Sequence, residues 1–313
     1  MVVAWIIDEF EEAKVGIWVV ERLLIIDGHS YAYRAFHAIR ELHSPSGQPT
    51  NAIYGFIKML AKLRAIIVPT HWIVVWDGGL SAERVAALPE YKAQRPEMPD
   101  DMRPQLDEMV SYLEAARIAS FCRDGIEADD VIACLARRAE KMNWMTVIAS
   151  ADKDFMQLVT ARVGLLNPHD KTEAIWTDEQ VRNKTGVEPS QIVDWLSLTG
   201  DNVDNIPGVP GVGPKTAAGL LNQFGSTEKL FSRLDEVKSE KLRAALVNSR
   251  EAVKRNRELV RLHEVACEFS REEMAVKALD KARLHELYSR WGFKTLLAAL
   301  EESVLRERQA ALI

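Results

Sequence analysis

The sequence predicts an α/β protein with a mostly parallel central sheet flanked by helices, followed by a helical region. Three observations indicate this class. Short runs rich in Val and Ile are typical of buried parallel strands. Segments with apolar residues every three or four positions separate these runs and indicate helices. After about Thr177 the strand signals stop, so the remainder is expected to be helical.

The predicted elements follow one another in chain order. Four apolar runs are expected to be strands: LLIID, HWIVVWD, MTVIAS and VGLLNP. The helical pattern is clearest in IYGFIKMLAKLRAII and EADDVIACLARRAEKM. From about Gly78 to Leu106 the chain has four prolines, mixed charge and no sustained period. This stretch is expected to be a long irregular insertion of the kind that forms lids or mobile loops.

Three parts of the chain are expected from this pattern. Residues 1–22 precede the first strand as an extension, and we assign them no role. Residues 23–177 form the α/β region, which includes the insertion at about 78–106. Residues 178–313 form the helical region, wrapped onto the first.

The composition predicts a soluble protein of a reducing compartment. The apolar content of 47% and the charged content of 27% are ordinary for globular proteins. The three cysteines are widely spaced without a C-x-x-C pair, which argues against a disulfide framework or a zinc site. Acids interrupt the apolar start of the chain, so it predicts neither a signal peptide nor a membrane span. We therefore expect a cytoplasmic protein with no membrane partner.

Nine acidic residues stand at strand ends or helix starts. Because ligand sites of open α/β sheets lie outside the carboxyl ends of the strands, we expect these side chains to converge there. They are Asp27, Asp77, Glu127, Asp129, Asp130, Asp152, Asp154, Asp201 and Asp204. Taken singly, each could instead be an ordinary turn residue or helix cap.

Taken together, the acids predict a metal centre. Hardly any basic residue is interleaved among them, so converging carboxylates would repel one another unless cations lay between them. All-oxygen sites select hard ions, which favours Mg²⁺ or Mn²⁺ over zinc. Pairs of such ions about 4 Å apart catalyse phosphodiester hydrolysis. The net charge of −6 argues weakly against a nucleic-acid partner, because duplex binding usually needs a basic surface. Without the nine acids the net charge would be about +3, so the rest of the protein is mildly basic.

The irregular insertion carries basic residues beside an aromatic ring. An aromatic ring stacks on any base while Lys and Arg hold phosphates, so this composition suits a single nucleic-acid strand. A solvated loop with ordinary charges is the alternative. The residues are Arg84, Tyr91, Lys92, Arg95 and Arg103.

The segment GVPGVGPKTA predicts a grip on a phosphate backbone. Its glycines permit close backbone approach, Pro214 suits the first position of a helix, and free N–H groups at a helix start can receive a phosphate. It is not a Walker A loop, because Pro214 stands where that motif needs glycine. A helix-hairpin-helix that holds duplex backbone fits better, and a plain helix start is the alternative. The residues concerned are Gly208, Gly211, Gly213, Lys215 and Thr216.

Six segments stand in order along the chain: LLIIDGHSYAYRAFHA, PTNAIYGF, YKAQRPEMP, EADDVIA, ADKDFMQL and GDNVDNIPGVPGVGPKTA. Together they resemble the flap endonuclease superfamily, and most closely its bacterial 5′-nucleases, which are related to the amino-terminal domain of DNA polymerase I. The resemblance runs from about Leu23 to Leu300. It implies a PIN-like 5′-nuclease fold for 23–177, a helical arch at about 78–106, and a helix-three-turn-helix motif that binds DNA in 178–313.

The resemblance also implies roles for individual residues. The nine acids match ligands of two or more divalent ions, and Asp77 and Asp152 are expected in the catalytic set with Lys92 and Arg95. These two basic residues match arch residues that contact the scissile phosphate, and Tyr91 matches a ring near the displaced base. The segment GVPGVGPKTA, residues 208–217 and called the glycine turn below, is also expected to hold a K⁺ ion. Further DNA contacts are expected from Tyr33, Arg34, Arg84, Gly208, Gly211, Gly213, Lys215 and Thr216.

This sequence departs from the family pattern in two places. Glu83 stands where the family often has Phe before the arginine at Arg84, so the near end of the arch is expected to differ. Residues 1 to about 20 have no counterpart in the family. The chain has no room for a polymerase, so any DNA polymerase partner is expected to be a separate chain.

The sequence therefore predicts a divalent-metal-dependent flap endonuclease and 5′→3′ exonuclease acting on branched, nicked or RNA-primed DNA. Water activated by metal makes a side-chain nucleophile unnecessary. Expected partners are 5′-flap or nicked duplex DNA, an RNA–DNA hybrid and a DNA polymerase, and we expect a monomer associated with the nucleoid. Two alternatives stay open. A PIN-like ribonuclease would need neither the glycine hairpin nor a long arch, and a DNA-junction binding module would have an inactive metal site.

Overall fold

The computed structural model describes residues 20–170, 172–266 and 269–310. The strands are β1 Arg22–Asp27, β2 His71–Val75, β3 Ala119–Phe121, β4 Met145–Ala149, β5 Val163–Leu166, β6 Ile175–Trp176, β7 Gly200–Asp201 and β8 Ile206–Pro207. The α-helices are α1 Gly28–Ala38, α2 Asn51–Ile67, α3 Ala82–Ala87, α4 Arg103–Ala116, α5 Ala128–Lys141, α6 Asp178–Thr185, α7 Ile192–Thr199, α8 Pro214–Phe224, α9 Thr227–Ser232, α10 Glu240–Asn248, α11 Arg250–Val260, α12 Arg271–Met274, α13 Lys281–Trp291 and α14 Lys294–Ala310. Three short 3-10 helices are Lys153–Leu158, Pro189–Gln191 and Leu234–Glu236.

The described chain divides into two compact units, named here by a strand of each. The β1 unit contains residues 21–77, 97–122 and 269–310, and the β4 unit contains residues 78–96 and 123–266. Residues 1–19 of the expected extension, and Cys267, lie outside the described residues. The predicted boundary near residue 177 stays a prediction.

The β1 unit is built on three parallel strands. Strand β2 pairs with β1 in a register that places Ile25 opposite Ile73, and it pairs with β3 on its other side. All of β2 and the last five residues of β1 are buried, which explains their continuous apolar sequence. Helices α1 and α2 pack closely, because Gly55 lies against Ala35.

The β4 unit combines strands with most of the helices that follow Thr177. Strands β4 and β5 are parallel, and the short β6 adds an antiparallel edge to β5. Helix α5 buries one face, which includes Val131, Ile132 and Leu135. The Asn256 side chain of helix α11 connects this helix to helix α7 and strand β8, because it donates to the Ser197 and Pro207 carbonyl oxygens.

The predicted fold class is confirmed: strands are mostly parallel and helices flank them. All four predicted strands form. The insertion is more regular than expected, since it contains the short helix α3 and ends where α4 begins at Arg103. The expectation that strands end near Thr177 is wrong in one detail, because β7 and β8 form a small antiparallel pair. Among the described residues, no helix has both the length and the apolar character needed to cross a membrane.

Candidate metal centre

Two segments of the β4 unit bring Asp154, Asp201 and Asp204 together: the 3-10 helix after β4, which contains Asp154, and the stretch from β7 into the turn that follows it. Asp152 follows β4 and begins a 3-10 helix, with its carboxylate accepting from the Asp154 N–H at 2.8 Å. Asp201 ends β7, where its carboxylate accepts from the Val203 N–H at 2.9 Å, and Asp204 lies in the turn that follows. One carboxylate oxygen from each of Asp154, Asp201 and Asp204 lies within 4.8 Å of the others. The structure thus places three predicted ligands side by side.

The environment of these three acids fits a cation. Their exposed fractions are 8%, 5% and 7%. Among the described residues, the Asp154 Oδ1 atom is buried with no hydrogen-bond partner. A buried carboxylate oxygen without a partner is costly, and a hard divalent ion is the ligand that satisfies it best. The side chains present therefore fit a divalent ion held by oxygen atoms.

Helix α5 contributes the next acids of the β4 unit. Glu127 is its N-cap residue, and Asp129 and Asp130 lie in its first turn. Both Glu127 and Asp130 contact the Arg84 guanidinium, at 3.2 Å and 2.8 Å, so they share a face as predicted. Asp129 faces the ammonium of Lys92 at 3.6 Å.

Arg84 connects three segments of the β4 unit. Its guanidinium makes two parallel bonds of 2.8 Å to Asp130 and also donates to the Leu259 and Arg261 carbonyl oxygens. Burial alone would lower the pKa of Arg84, but the hydrogen bond to Asp130 and the charge of Glu127 raise it instead. Arg84 was expected to contact DNA, yet its residue is 4% exposed and its donors are used within the protein. Its placement favours a structural role.

Lys92 projects into the acids from the insertion. Its Nζ atom lies 2.5 Å from Glu127, 3.6 Å from Asp129 and 3.9 Å from Asp204. Its backbone N–H donates to the Asp204 carbonyl oxygen, and its φ of 55° lies in the left-handed region that residues other than glycine seldom adopt. The neighbouring Tyr91 hydroxyl donates to Glu127 at 3.1 Å. The lysine is therefore held in place by both side-chain and backbone contacts.

Basic residues lie closer to the acids than the sequence indicated. The Arg95 guanidinium is 3.2 Å from Asp204, and the Lys153 ammonium is 2.9 Å from Asp201. The expectation of hardly any interleaved basic residues is wrong, because the fold brings Lys92 and Arg95 to Asp204, which lies about 110 residues later in the sequence. Lys153 was missed although it stands inside the ADKD motif, between two predicted ligands.

The electrostatics differ across the cluster. Burial, followed by the charges of Asp152 and Asp201, raises the pKa of Asp154 well above its ordinary value of 3.8. Burial also raises the pKa of Asp204, although the charges of Lys92 and Arg95 oppose this shift. For Glu127, burial would raise the pKa, but Lys92 and Arg84 outweigh it and lower the value. Neighbouring carboxylates therefore help to raise the pKa of Asp154, whereas neighbouring cations lower that of Glu127.

The glycine turn has the predicted helix start. Helix α8 begins at Pro214 with Gly213 as its N-cap residue, and Lys215 is exposed beside it, followed by the half-buried Thr216. Gly208 lies so close to the Thr199 and Gly200 backbones that a Cβ atom would be 2.3 Å from the Thr199 carbonyl carbon. Gly211 has a φ of +81°, whereas the space around Gly213 is open.

The remaining predicted residues belong to the β1 unit. Asp27 ends β1 and caps α1 by accepting from the Ser30 N–H at 3.0 Å. Asp77 follows β2, and its N–H donates to His29 Nδ1 at 3.1 Å. Tyr33 and Arg34 lie half-buried on α1. Both acids stand at the carboxyl ends of parallel strands as expected, and their meeting with the other seven stays a prediction.

Comparisons with known proteins identify the family. A family model described as 5'-3' exonuclease, N-terminal resolvase-like domain, matches residues 22–186, and one described as 5'-3' exonuclease, C-terminal SAM fold, matches residues 187–282. The 5'-3' exonuclease of Aquifex aeolicus is 36% identical over 294 residues, which cover 94% of this chain and 100% of that protein. DNA polymerase I of Bacillus caldotenax is 38% identical over 92% of this chain, but the chain spans only 33% of that protein.

Solved structures agree with the family models. T5 5'-exonuclease with bound zinc has a TM-score of 0.64 at 26% identity, covering 77% of this chain and 89% of that one. The catalytic core of Rad2 in complex with a DNA substrate has a TM-score of 0.59 at 18% identity, covering 87% and 88%, and indicates the fold alone. The buried acids of the β4 unit thus occur in a fold whose solved members include a metal-bound exonuclease. The chain belongs to the 5′–3′ exonuclease family.

Proposed function

We propose that the protein is a structure-specific 5′ nuclease that depends on divalent metal ions and acts as a flap endonuclease and 5′→3′ exonuclease on branched or nicked DNA. The observation that carries the proposal is the group Asp154, Asp201 and Asp204, with a buried, unpartnered carboxylate oxygen on Asp154. Membership of the 5′–3′ exonuclease family supports the reaction class.

Mg²⁺ or Mn²⁺ is the proposed metal. Every candidate ligand is a carboxylate oxygen, and hard divalent ions prefer such ligands. A bound ion would supply water of lowered pKa and positive charge at the phosphate. Asp154, Asp201 and Asp204 would hold it, and Glu127 and Asp129 lie close to the Lys92 ammonium, which also contacts Asp204. We further propose that Asp27, Asp77 and Asp152 complete the ligand set.

The chain's own basic residues supply the phosphate contacts in this proposal. Lys92 and Arg95 would bind the scissile phosphate and stabilise the charge that builds on it during cleavage. The exposed Lys215 and the N–H groups that open helix α8 would hold an uncleaved duplex strand, because a helix start attracts anions. Several further proposals rest on family membership alone: the substrates, RNA–DNA hybrids, a separate DNA polymerase partner, the K⁺ ion, a monomeric state and a cytoplasmic location.

Cleavage of a 5′-labelled flap duplex tests the proposal. Wild-type protein is expected to release the flap in Mg²⁺ and to be inactive in EDTA, and Asp77→Ala should abolish release. The matched control is Asp178→Ala, which removes an exposed acid of helix α6. Single-stranded RNA of the same sequence should be cut far more slowly. Preferred cleavage of the RNA would favour a PIN-like ribonuclease, and binding without cleavage would favour a junction-binding module.

Lys92→Ala separates catalysis from binding. Because Lys92 is proposed to act on the scissile phosphate, its loss should lower the single-turnover rate by about a hundredfold or more while duplex affinity changes little. Rates are measured in Mg²⁺ and affinities in Ca²⁺ with the same flap. A large loss of affinity with an unchanged rate would contradict the assigned role.

A further inference from the structure

Two ammonium groups lie among the carboxylates proposed to bind the metal. The Lys92 ammonium contacts Glu127, Asp129 and Asp204, and its side chain is 1% exposed. The Lys153 ammonium contacts Asp201 at 2.9 Å, and its side chain is 39% exposed. Each lysine is therefore a cation bound to oxygen atoms that a divalent ion would also use.

The two kinds of cation exclude each other electrostatically. A carboxylate that pairs with an ammonium group at these distances has its charge largely compensated, which weakens its attraction for a second cation. An ammonium group left about 4 Å from a divalent ion would also be repelled, strongly so in a buried site. Binding of one cation therefore disfavours the other at Glu127, Asp201 and Asp204.

The backbone around Lys92 can stay in place while its ammonium group moves. The Lys92 N–H is bonded to the Asp204 carbonyl oxygen at 3.1 Å, and the Asn205 side chain donates to the Glu90 carbonyl oxygen at 2.9 Å. These bonds hold residues 90–92 independently of the ammonium group. The long lysine side chain can therefore change rotamer without detaching the segment.

We propose that Lys92 and Lys153 are displaceable counter-ions: they hold the carboxylates together, and a divalent ion competes with their ammonium groups for the same oxygen atoms. The inference rests on the proposed metal centre and adds to it a positioning role for Lys153. It also makes the ammonium of Lys92 available to a phosphate only when the ion is bound. Ion binding and phosphate binding are then coupled through one side chain.

Chemical modification of lysine tests the displacement directly. The DNA-free wild-type protein is treated with formaldehyde and dimethylamine–borane, once in EDTA and once in Mn²⁺, and methylation at each lysine is read by mass spectrometry. Lys92 is expected to be protected in EDTA and to react at least about five times faster in Mn²⁺, since its ammonium group leaves the buried carboxylates and becomes accessible. Lys184, exposed on helix α6, is the internal control and should react equally in both. Equal protection of Lys92 in both would overturn the proposal.

Mn²⁺ affinity provides the second readout. Lys92→Met and Lys153→Met should each bind Mn²⁺ at least about tenfold more tightly in calorimetry, because a competing charged hydrogen bond is gone. Lys184→Met should match wild type. Lys153 is partly exposed, so its variant keeps the test valid if Lys92→Met does not fold. Unchanged or weaker affinity in Lys153→Met would overturn the proposal.

The Asp154→Asn variant separates failure of the proposed metal centre from failure of the counter-ion proposal. If wild type binds no Mn²⁺, or if Asp154→Asn binds it as tightly as wild type, the proposed metal centre fails and this inference fails with it. If binding depends on Asp154 but both lysine variants and the methylation pattern are insensitive, the metal centre stands and the inference alone is overturned.

Discussion

Arg84 is the residue whose surroundings differ most from what the sequence suggested. Its guanidinium pairs with Asp130, 46 residues away, and with backbone oxygens 175 and 177 residues away. A basic residue in a polar, proline-rich stretch reads as a solvated or DNA-binding side chain. Only tertiary structure shows that this one is buried, because none of its partners is local in sequence.

Removal of Arg84 should destabilise the protein strongly. Arg84→Met leaves the Asp130 carboxylate buried without its main partner, so the free energy of unfolding should fall by about 3–5 kcal/mol. The double variant Arg84→Met with Asp130→Leu should recover most of this loss, because an apolar pair replaces the ion pair. Urea unfolding measures both.

The matched control for this prediction is Arg182→Met. Arg182 pairs with Asp178 and Glu188 on the surface, so its loss should lower the free energy of unfolding far less than the loss of Arg84 does. Equal destabilisation by Arg84→Met and Arg182→Met would show that the buried pair is not structural.

Asp154→Asn should stabilise the protein in EDTA. Because the pKa of Asp154 is raised, the folded protein holds its proton more tightly than the unfolded chain, so this group's favourable contribution is lost as pH rises through the raised pKa. Asparagine cannot ionise, and the variant should melt about 2–4 °C above wild type at neutral pH. The difference should shrink as pH falls towards 3.8. A difference independent of pH would contradict this explanation.

Single acids of the candidate site were predictable because they follow recognisable strands or open helices. Asp152 and Asp154 come directly after β4, so the end of that strand is enough to place them at the sheet edge. The contacts of Lys92 were not predictable, because its position depends on the left-handed backbone at residue 92 and on bonds to residues 204 and 205. Lys153 could have been found by asking which cations stand inside the acidic motifs themselves.

At the scale of elements, a close backbone contact connects the segment that carries Asp201 and Asp204 to the start of helix α8. Gly200, where β7 begins, and Gly208, which follows β8, approach so closely that a Cβ atom on either would be 2.3 Å from backbone atoms of the other segment. This contact fixes how Asp201 and Asp204 lie relative to the start of the helix. The contact therefore fixes the distance between these two carboxylates and the N-terminus of helix α8.

Three alanine substitutions in this element should differ in a defined order. Gly208→Ala should cost about 2–3 kcal/mol or more, since the backbone must move to admit the Cβ atom. Gly211→Ala should cost about 1 kcal/mol for its positive φ. Gly219→Ala, in the middle of α8 with open space around it, should stabilise by about 0.5–1 kcal/mol and is the control. Similar free energies of unfolding for all three would refute the close contact.

The elements that sequence patterns missed are the shortest ones. Strands β6, β7 and β8 have two residues each, and β3 has three, so none presents enough positions for alternation or an apolar run to be visible. Helix α3 has six residues within a stretch rich in proline and charge. By contrast, α2 and α5 were predicted because they repeat their apolar spacing over several turns.

At the scale of the whole molecule, the negative net charge and the proposed DNA substrate are compatible. The nine predicted metal ligands stand at strand ends and helix starts, and four basic side chains of the β4 unit contact members of this group. The net charge of −6 is a sum over the whole chain, and it does not describe the local charge around a bound phosphate. The match with the Aquifex aeolicus 5'-3' exonuclease covers the full length of that protein.

The central claim is that buried carboxylates of the β4 unit hold the ions that drive cleavage. The most direct test is the single-turnover rate of 5′-flap release as a function of Mg²⁺ concentration, measured for wild type, Asp204→Asn and the control Asp178→Asn. We predict no release without Mg²⁺, a saturable rise for wild type and control, and a rate at least about a hundredfold lower for Asp204→Asn. Release in EDTA, or a wild-type Mg²⁺ curve for Asp204→Asn, would contradict the claim.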